Sequence, residues 1–405
     1  MKILVVHNPY QQAGGEDVVF EQKCRLLRRA GHQVITYCRS NDEIEKMGAL
    51  QKLTTVPRAV WSSDAKRELE DLLERERPDV VHVHNTFAMI SPSIYFACYA
   101  ARIPVVQTLH NYRLMCPAAT FYRAGQVCED CTTGGLWQGI RHRCYHDSRG
   151  QTAVVASIIA VHRKLGTWAH PLHYYIALSQ FARQKFIEAG LPETRLFVKP
   201  NFVDPDPGPC EDKQEYAVFV GRLSPEKQVG TLLRAWEKSS ARMPLLIVGG
   251  GPQLEELRNL ACKRNLNGIQ FLGQVPRPEA VEKLRRARFL IFCSQWYENF
   301  PVTIVEAFAS ATPVICSRLG AMEEIVSDGR TGKHFTAGDA DDLARSLDWA
   351  WTHPAELSAM GRAARAEFES LYSAEKNYSR LLQIYRRVIA EAGRRRPISS
   401  LAESQ

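Results

Sequence analysis

Short apolar runs recur through the first half of the chain, at residues 2–6, 33–38, 79–83, 105–108 and 174–178. Stretches with apolar residues at helical spacing separate several of them, notably 17–30 and 64–77. Val-rich buried strands alternating with amphipathic helices predict a doubly wound parallel sheet. Residues 112–150 break this rhythm and read as an insertion rich in Cys, Arg and Gly. The run Val203-Asp204-Pro205-Asp206-Pro207-Gly208-Pro209 continues neither a helix nor a central strand, so 201–209 is predicted to be a linker. The rhythm then restarts, with strand-like runs at 216–220, 245–248, 269–272, 289–292 and 313–316. The pattern therefore predicts an α/β protein of two domains, 1–200 and 210–373. A helix over 374–391 is expected to pack back towards the first domain, and a polar tail over 392–405 follows. Two such sheets facing one another leave a cleft at their strand carboxyl ends, where ligands of open α/β sheets bind.

Composition adds little to the fold and something to the function. The 405 residues exceed one ordinary core, and 45% apolar with 24% charged residues is the balance of a globular protein. The longest apolar candidate, 153–161, is too short to span a bilayer and ends in His162-Arg163-Lys164. The opening run Met1-Lys2-Ile3-Leu4-Val5-Val6-His7-Asn8 turns polar too early for a signal peptide, which predicts a cytoplasmic protein. Residues 1–200 hold 25 Lys and Arg against 18 Asp and Glu, and so carry most of the net charge of +8. Such a half suits an acidic partner, for instance an anionic membrane face, or is simply a solvated basic surface. Cys24, Cys38, Cys98, Cys262, Cys293 and Cys316 lie in apolar or helical surroundings and are expected to act as small core residues.

The chemistry gathers where strands end. Glu298 and Glu306 bracket Glu-Asn-Phe-Pro-Val-Thr-Ile-Val-Glu, which follows the strand-like 289–292 and turns helical, with Pro301 expected at the first helical position. A helix start attracts phosphate, and two flanking carboxylates suit hydroxyl groups. A nucleotide sugar has both. Arg222 and Lys227 follow the first strand of the second domain and are placed to neutralise a diphosphate. Gly249-Gly250-Gly251-Pro252 follows the second strand, and Gly14-Gly15 opens the first helix of the chain. His110 follows the strand 105–108 and is expected to point into the cleft, whereas His82 and His84 read as structural. Two Asp-x-Asp matches, Asp204-Pro205-Asp206 and Asp339-Ala340-Asp341, stand away from strand ends and are discounted as metal ligands. Within the insertion, Cys116, Cys128, Cys131 and Cys144 leave three readings open: a structural zinc site, unliganded thiols, or a redox pair.

Taken together, Gly14-Gly15, His110, Gly221-Arg222-Leu223 with Lys227, Gly249-Gly250-Gly251-Pro252, Glu298 through Glu306, Gly320 through Val326 and Thr331-Gly332 resemble glycosyltransferase family 4. The resemblance covers essentially the whole chain. It implies the GT-B fold of two facing Rossmann-like domains, and retaining hexose transfer without a catalytic metal, from a UDP-sugar or GDP-sugar to a lipid-linked or polysaccharide acceptor. It further implies that Glu298 and the backbone of Asn299, Phe300, Pro301 and Val302 bind the donor sugar. Glu306 would bind ribose, and Arg222, Lys227, Thr303 and Gly14-Gly15 the diphosphate. His110 would lie near the reacting carbon, and backbone around Gln274 and Val275 would meet the base. Two other functions compete with this one. A sugar-nucleotide epimerase shares the fold, and a zinc-stabilised nucleic-acid-binding protein would use the cysteines and Arg141-His142-Arg143. The latter leaves the second domain without a purpose, so no nucleic-acid partner is expected.

Overall fold

A computed structural model describes residues 1–9, 15–41, 56–240 and 243–394. In the first half the elements are β1 (Lys2–His7), α1 (Gly15–Arg29), β2 (Gln33–Cys38), α2 (Ser63–Glu76), β3 (Val80–Val83), α3 (Ile94–Ala100) and β4 (Val105–Thr108). The insertion supplies a hairpin, β5 (Tyr122–Arg123) and β6 (Gln126–Val127), then α4 (Asp130–Thr133) and α5 (Trp137–Arg141). The half closes with α6 (Arg149–Lys164), β7 (His173–Ala177), α7 (Gln180–Glu188) and β8 (Leu196–Val198). The second half runs β9 (Ala217–Val220), α8 (Val229–Lys238), β10 (Leu245–Val248), α9 (Leu254–Lys263), β11 (Ile269–Gly273), α10 (Arg277–Arg286) and β12 (Phe289–Phe292). It continues through α11 (Val302–Ala309), β13 (Val314–Ser317), α12 (Ala321–Ile325), β14 (Gly332–Phe335), α13 (Ala340–Thr352), α14 (Pro354–Leu371) and α15 (Ala374–Arg394).

Two six-stranded sheets result, ordered β2-β1-β3-β4-β7-β8 and β11-β10-β9-β12-β13-β14. Every pairing in both is parallel. Helices cover both faces, so the central strands are buried along their whole length, as in Val80–Val83 and Phe289–Phe292. This is the GT-B arrangement. Strand order reverses between β1 and β3 in one sheet and between β9 and β12 in the other, and each reversal opens a crevice at the carboxyl ends.

Side-chain caps fix several helix starts. Ser62 Oγ accepts from Ala65 N at 3.3 Å, and Ser179 Oγ from Ala182 N at 3.1 Å. The last helix lies against the first domain: Tyr378 and Tyr385 reach His32 and His82 at 2.9 and 2.5 Å, and Asn377 receives the buried Lys199 at 2.9 Å. It extends to Arg394, past the predicted end at 391.

Several expectations need correction. Cys38 and Cys262 are exposed rather than core residues, because one ends the edge strand β2 and the other sits on the outer side of α9. Pro301 is the cap of α11 rather than its first helical residue, with ψ of 95° holding it extended. Strands β8 and β14 are absent from the sequence expectation, being three and four residues long and, in β14, carrying Gly332, Lys333 and His334. The structural zinc is not supported. Among the described residues no group of three or more His, Cys, Asp or Glu side chains stands where it would hold a metal ion. Cys116, Cys128, Cys131 and Cys144 are free thiols. Burial pushes Cys131 up to about 12 and also raises Cys144, favouring neutral thiols over the thiolates that zinc requires. Cys128 Sγ instead accepts a bond from Arg123 Nε at 3.4 Å. The aspartates of the two Asp-x-Asp matches are also engaged. Asp204 and Asp206 pair with Arg29 and Arg365, and Asp339 caps α13.

Candidate active site

The two crevices meet in one cleft. A cavity of about 820 Å³ is lined by Gly221 and Arg222 after β9, Gly249 to Pro252 after β10, and Gln274 and Val275 after β11. It shares Val220, Gln274, Val275 and Ala280 with a second cavity of about 380 Å³. That second cavity is bounded by Gly15, Val18 and Val19 of the first domain and by Val302, Thr303 and Glu306 of the second. Gly14 lies outside the described residues. The glycines are there because nothing larger fits. At Gly249, with φ of +141°, a Cβ would stand 1.9 Å from the Gly221 carbonyl oxygen, and at Gly251 it would stand 2.4 Å from that of Leu223.

Glu298 is 6% exposed and tightly held. Its Oε1 accepts from Ser294 Oγ at 2.8 Å, from Trp296 Nε1 at 2.7 Å and from the Lys227 ammonium. The carboxylate is thus fixed through one oxygen, and the other takes none of these bonds. Lys227, expected on the diphosphate, is instead paired with Glu298 and rests near the rings of Phe292 and Trp296. Arg222 is exposed, and its guanidinium makes no hydrogen bond among the described residues. It is the cation that faces the cavity uncommitted.

Glu306 lies one helical turn further along α11. Its Oε1 accepts from Arg277 Nη2 at 2.6 Å and Nε at 3.2 Å. Burial raises its carboxyl above the usual range, and the Arg277 charge opposes that shift. Arg277, at the start of α10, is a site residue the sequence reading missed.

Asn299 joins the domains. Its Nδ2 donates to the Leu109 carbonyl at 2.5 Å, and its own carbonyl accepts from Ser179 Oγ at 3.4 Å. Leu109 precedes His110, so this bond draws the His110 loop against the start of α11. Phe300 is buried against Tyr372, and its backbone lies between Asn299 and the Pro301 cap. Glu324 adds a second bridge across the cleft, accepting from Gln180 N and Phe181 N at 2.8 Å each at the free end of α7. The insertion leans on the second domain too, through Tyr122 and Gln228 at 3.5 Å and through the rings of Phe121 and Tyr297. His110 is half-buried, with Nε2 2.9 Å from His84 Nδ1. Burial holds both imidazoles well below their usual range, and the Lys23 charge adds to this. His84, read as structural from sequence, is thereby a direct neighbour of His110, and both line a separate cavity of about 60 Å³ within the first domain.

Comparison with known proteins agrees with this geometry. Residues 13–207 match the model of Glycosyltransferase Family 4, and residues 204–367 that of Glycosyl transferases group 1. A glycogen synthase of Mycobacterium tuberculosis is 31% identical over 197 residues, 48% of this chain and 46% of that protein. The chain thus spans about half the length of the first curated relatives it matches. A phosphatidyl-myo-inositol mannosyltransferase of Mycolicibacterium smegmatis is 28% identical over 361 residues, 82% of this chain and 80% of that one. Among solved structures, HepE of Anabaena in complex with UDP superposes with a TM-score of 0.69 at 17% identity, over 95% of this chain and 99% of that one. At that identity the likeness shows the fold alone. With the two family models meeting end to end across both halves of a GT-B fold, the chain belongs to the glycosyltransferases, family 4 in its first domain and group 1 in its second.

Proposed function

We propose that the chain transfers a hexose from a UDP- or GDP-sugar to a lipid-linked oligosaccharide or polysaccharide acceptor, with retention and without a catalytic metal. The observation that carries this reading is the pair of adjoining cavities, sharing Gln274 and Val275, that together are lined by Arg222, the start of α11, Gly15 and Glu306. The cation and helix start suit a diphosphate, Glu306 a ribose, and the backbone after β11 a base. Glu298 orients the donor sugar through the carboxylate oxygen left uncommitted, while Ser294, Trp296 and Lys227 hold the other in place. The acceptor oxygen then attacks the face from which diphosphate departs, the glycosidic C–O bond breaks, and a phosphate oxygen takes the acceptor proton. Fixed charges in a desolvated cleft stabilise the departing diphosphate. UDP or GDP at one hundred times its dissociation constant is expected to stabilise the protein by about 2.7 kcal/mol, read as a rise in melting temperature. No shift with any nucleoside diphosphate or its sugars would overturn the reading.

The acceptor side favours a membrane. Helix α6 buries Thr152, Val155, Ala156, Ile158, Ile159 and His162, so one face of 153–161 belongs to the core. The opposite face exposes Val161, and Leu165 beyond its end is 50% exposed. Helix α5 packs on α6 and presents Trp137, 54% exposed, beside Arg141. No helix among the described residues is long and apolar enough to cross a membrane. Exposed Trp137, Val161 and Leu165, together with the exposed Arg141, Arg143, Arg163 and Lys164 of the same two helices and their flanks, suit an anionic interface, here the inner face of the cytoplasmic membrane. Each basic residue near such a surface contributes about 1 kcal/mol, screened by salt. Sedimentation with vesicles is expected to rise with anionic lipid and fall with salt, and Trp137→Ser should weaken it. Equal binding to neutral vesicles at low salt would point to a soluble acceptor.

A further inference from the structure

His110 does not stand alone. Three histidine rings form a column across adjacent strand ends: His82 stacks on His84 with centroids 4.8 Å apart, and His84 on His110 at 5.0 Å. The base of the column is held at both nitrogens. His82 Nδ1 meets the Tyr385 hydroxyl at 2.5 Å, and Nε2 meets the Thr108 hydroxyl at 2.7 Å. The top of the column is the bond between His84 Nδ1 and His110 Nε2. Burial, with the Lys23 side chain beneath, holds both of these rings well below the usual imidazole range, and so neutral near neutral pH.

Two neutral imidazoles joined by one bond share one hydrogen, and it has two arrangements. If His110 Nε2–H is the donor, the hydrogen of His84 sits on its Nε2. That atom is buried and has no partner among the described residues. A buried N–H without an acceptor forfeits its hydration, a loss that folded proteins rarely leave in place. If His84 Nδ1–H is the donor, His84 Nε2 carries only a lone pair, and a bare acceptor is tolerated better than an orphaned donor. The hydrogen of His110 is then on Nδ1, which no hydrogen bond among the described residues engages. The second arrangement wins.

We propose that His84 is a positioning residue that fixes His110 as the Nδ1–H tautomer, so that His110 meets its ligand as a hydrogen-bond donor and not as a general base. The ligand atom it serves is an electron-rich oxygen, of a sugar hydroxyl or of the phosphate bridge, and this part rests on the cleft being a nucleotide-sugar site. A base at this position would need the opposite tautomer, with its lone pair on Nδ1. The tautomer itself depends on no ligand.

The test uses the full-length protein with nitrogen-15-labelled histidine and two-bond proton–nitrogen correlation spectra, without substrate, near neutral pH. The expected pattern is hydrogen on His110 Nδ1 and none on Nε2. His84→Leu is expected to return His110 to the mixture of tautomers of a free imidazole and to lower turnover by roughly 2- to 10-fold at little changed donor KM, as the donating Nδ1–H form becomes a minority. His84→Asn places an amide N–H where Nδ1 stood and should restore both the tautomer and most of the turnover. Hydrogen on His110 Nε2 in the unsubstituted protein would overturn the proposal, as would a His84→Leu variant with unchanged tautomer and turnover. Because the spectrum is read without nucleotide sugar, the proposal fails or stands separately from the assignment of the reaction.

Discussion

Replacing Glu298 by glutamine is expected to reduce turnover by about 100- to 1000-fold while nucleoside diphosphate affinity stays within about threefold. The substitution keeps the shape and the acceptor oxygen that Ser294 and Trp296 bind, and removes the charge that holds Lys227. Under the proposed function, what is lost is the fixed anion beside the sugar, which would answer the positive charge that develops on the reacting carbon. Under that function, ground-state contacts with the nucleotide come from elsewhere, namely Arg222, Glu306 and the start of α11, so binding of the diphosphate is expected to survive. A freed Lys227 even gains access to the diphosphate, which works against any loss of affinity. Steady-state turnover with a nucleotide-sugar panel, set beside calorimetric binding of the nucleoside diphosphate, separates the two effects. Near-normal turnover in Glu298→Gln would remove Glu298 from the site.

Replacing Glu306 by alanine is expected to act in the opposite sense, weakening nucleotide binding by roughly 10- to 100-fold with a smaller change in turnover at saturation. Glu306 is almost wholly buried, and its one charged partner among the described residues, Arg277, is exposed. A buried carboxylate accepting from ribose hydroxyls makes charge-assisted bonds of about 1.5–3 kcal/mol. Loss of the Arg277 pair adds little to the change in stability, since water screens an exposed guanidinium. The diagnostic ligand pair is a ribonucleoside diphosphate and its 2′-deoxy form. The unsubstituted protein is expected to prefer the ribose form, and Glu306→Ala to bind the two alike. A preference that persists in the variant would place the ribose away from Glu306.

Both sheets, and the side of each on which chemistry collects, are legible in the hydrophobic pattern alone. A buried parallel strand is a nearly continuous apolar run, legible in Ile3 to Val6 or Phe289 to Phe292. The residue after such a run must lie at a strand's carboxyl end, which places Arg222, Gln274 and His110 without knowledge of any contact. The spacing of Glu298 and Glu306 on a strand–loop–helix segment is likewise local. Strand β8 escaped because it is three residues long, and β14 because its edge position lets a four-residue strand carry Gly332, Lys333 and His334 in place of an apolar run. The tertiary structure decided which groups those residues meet. Arg277 reaches Glu306 across 29 residues, His84 reaches His110 across 26, Glu324 caps α7 across 144, and Asn299 holds Leu109 across 190. None of these pairs has a periodicity, because each joins the ends of different strands or the two facing sheets. The same holds for Lys227: its charge reads from sequence as a phosphate ligand, and its partner Glu298 emerges only when the loop after β9 folds beside the loop after β12. Local hydrophobic pattern fixes where a loop begins, whereas the proximity of two loops follows from strand order and domain packing, which no short window of sequence contains.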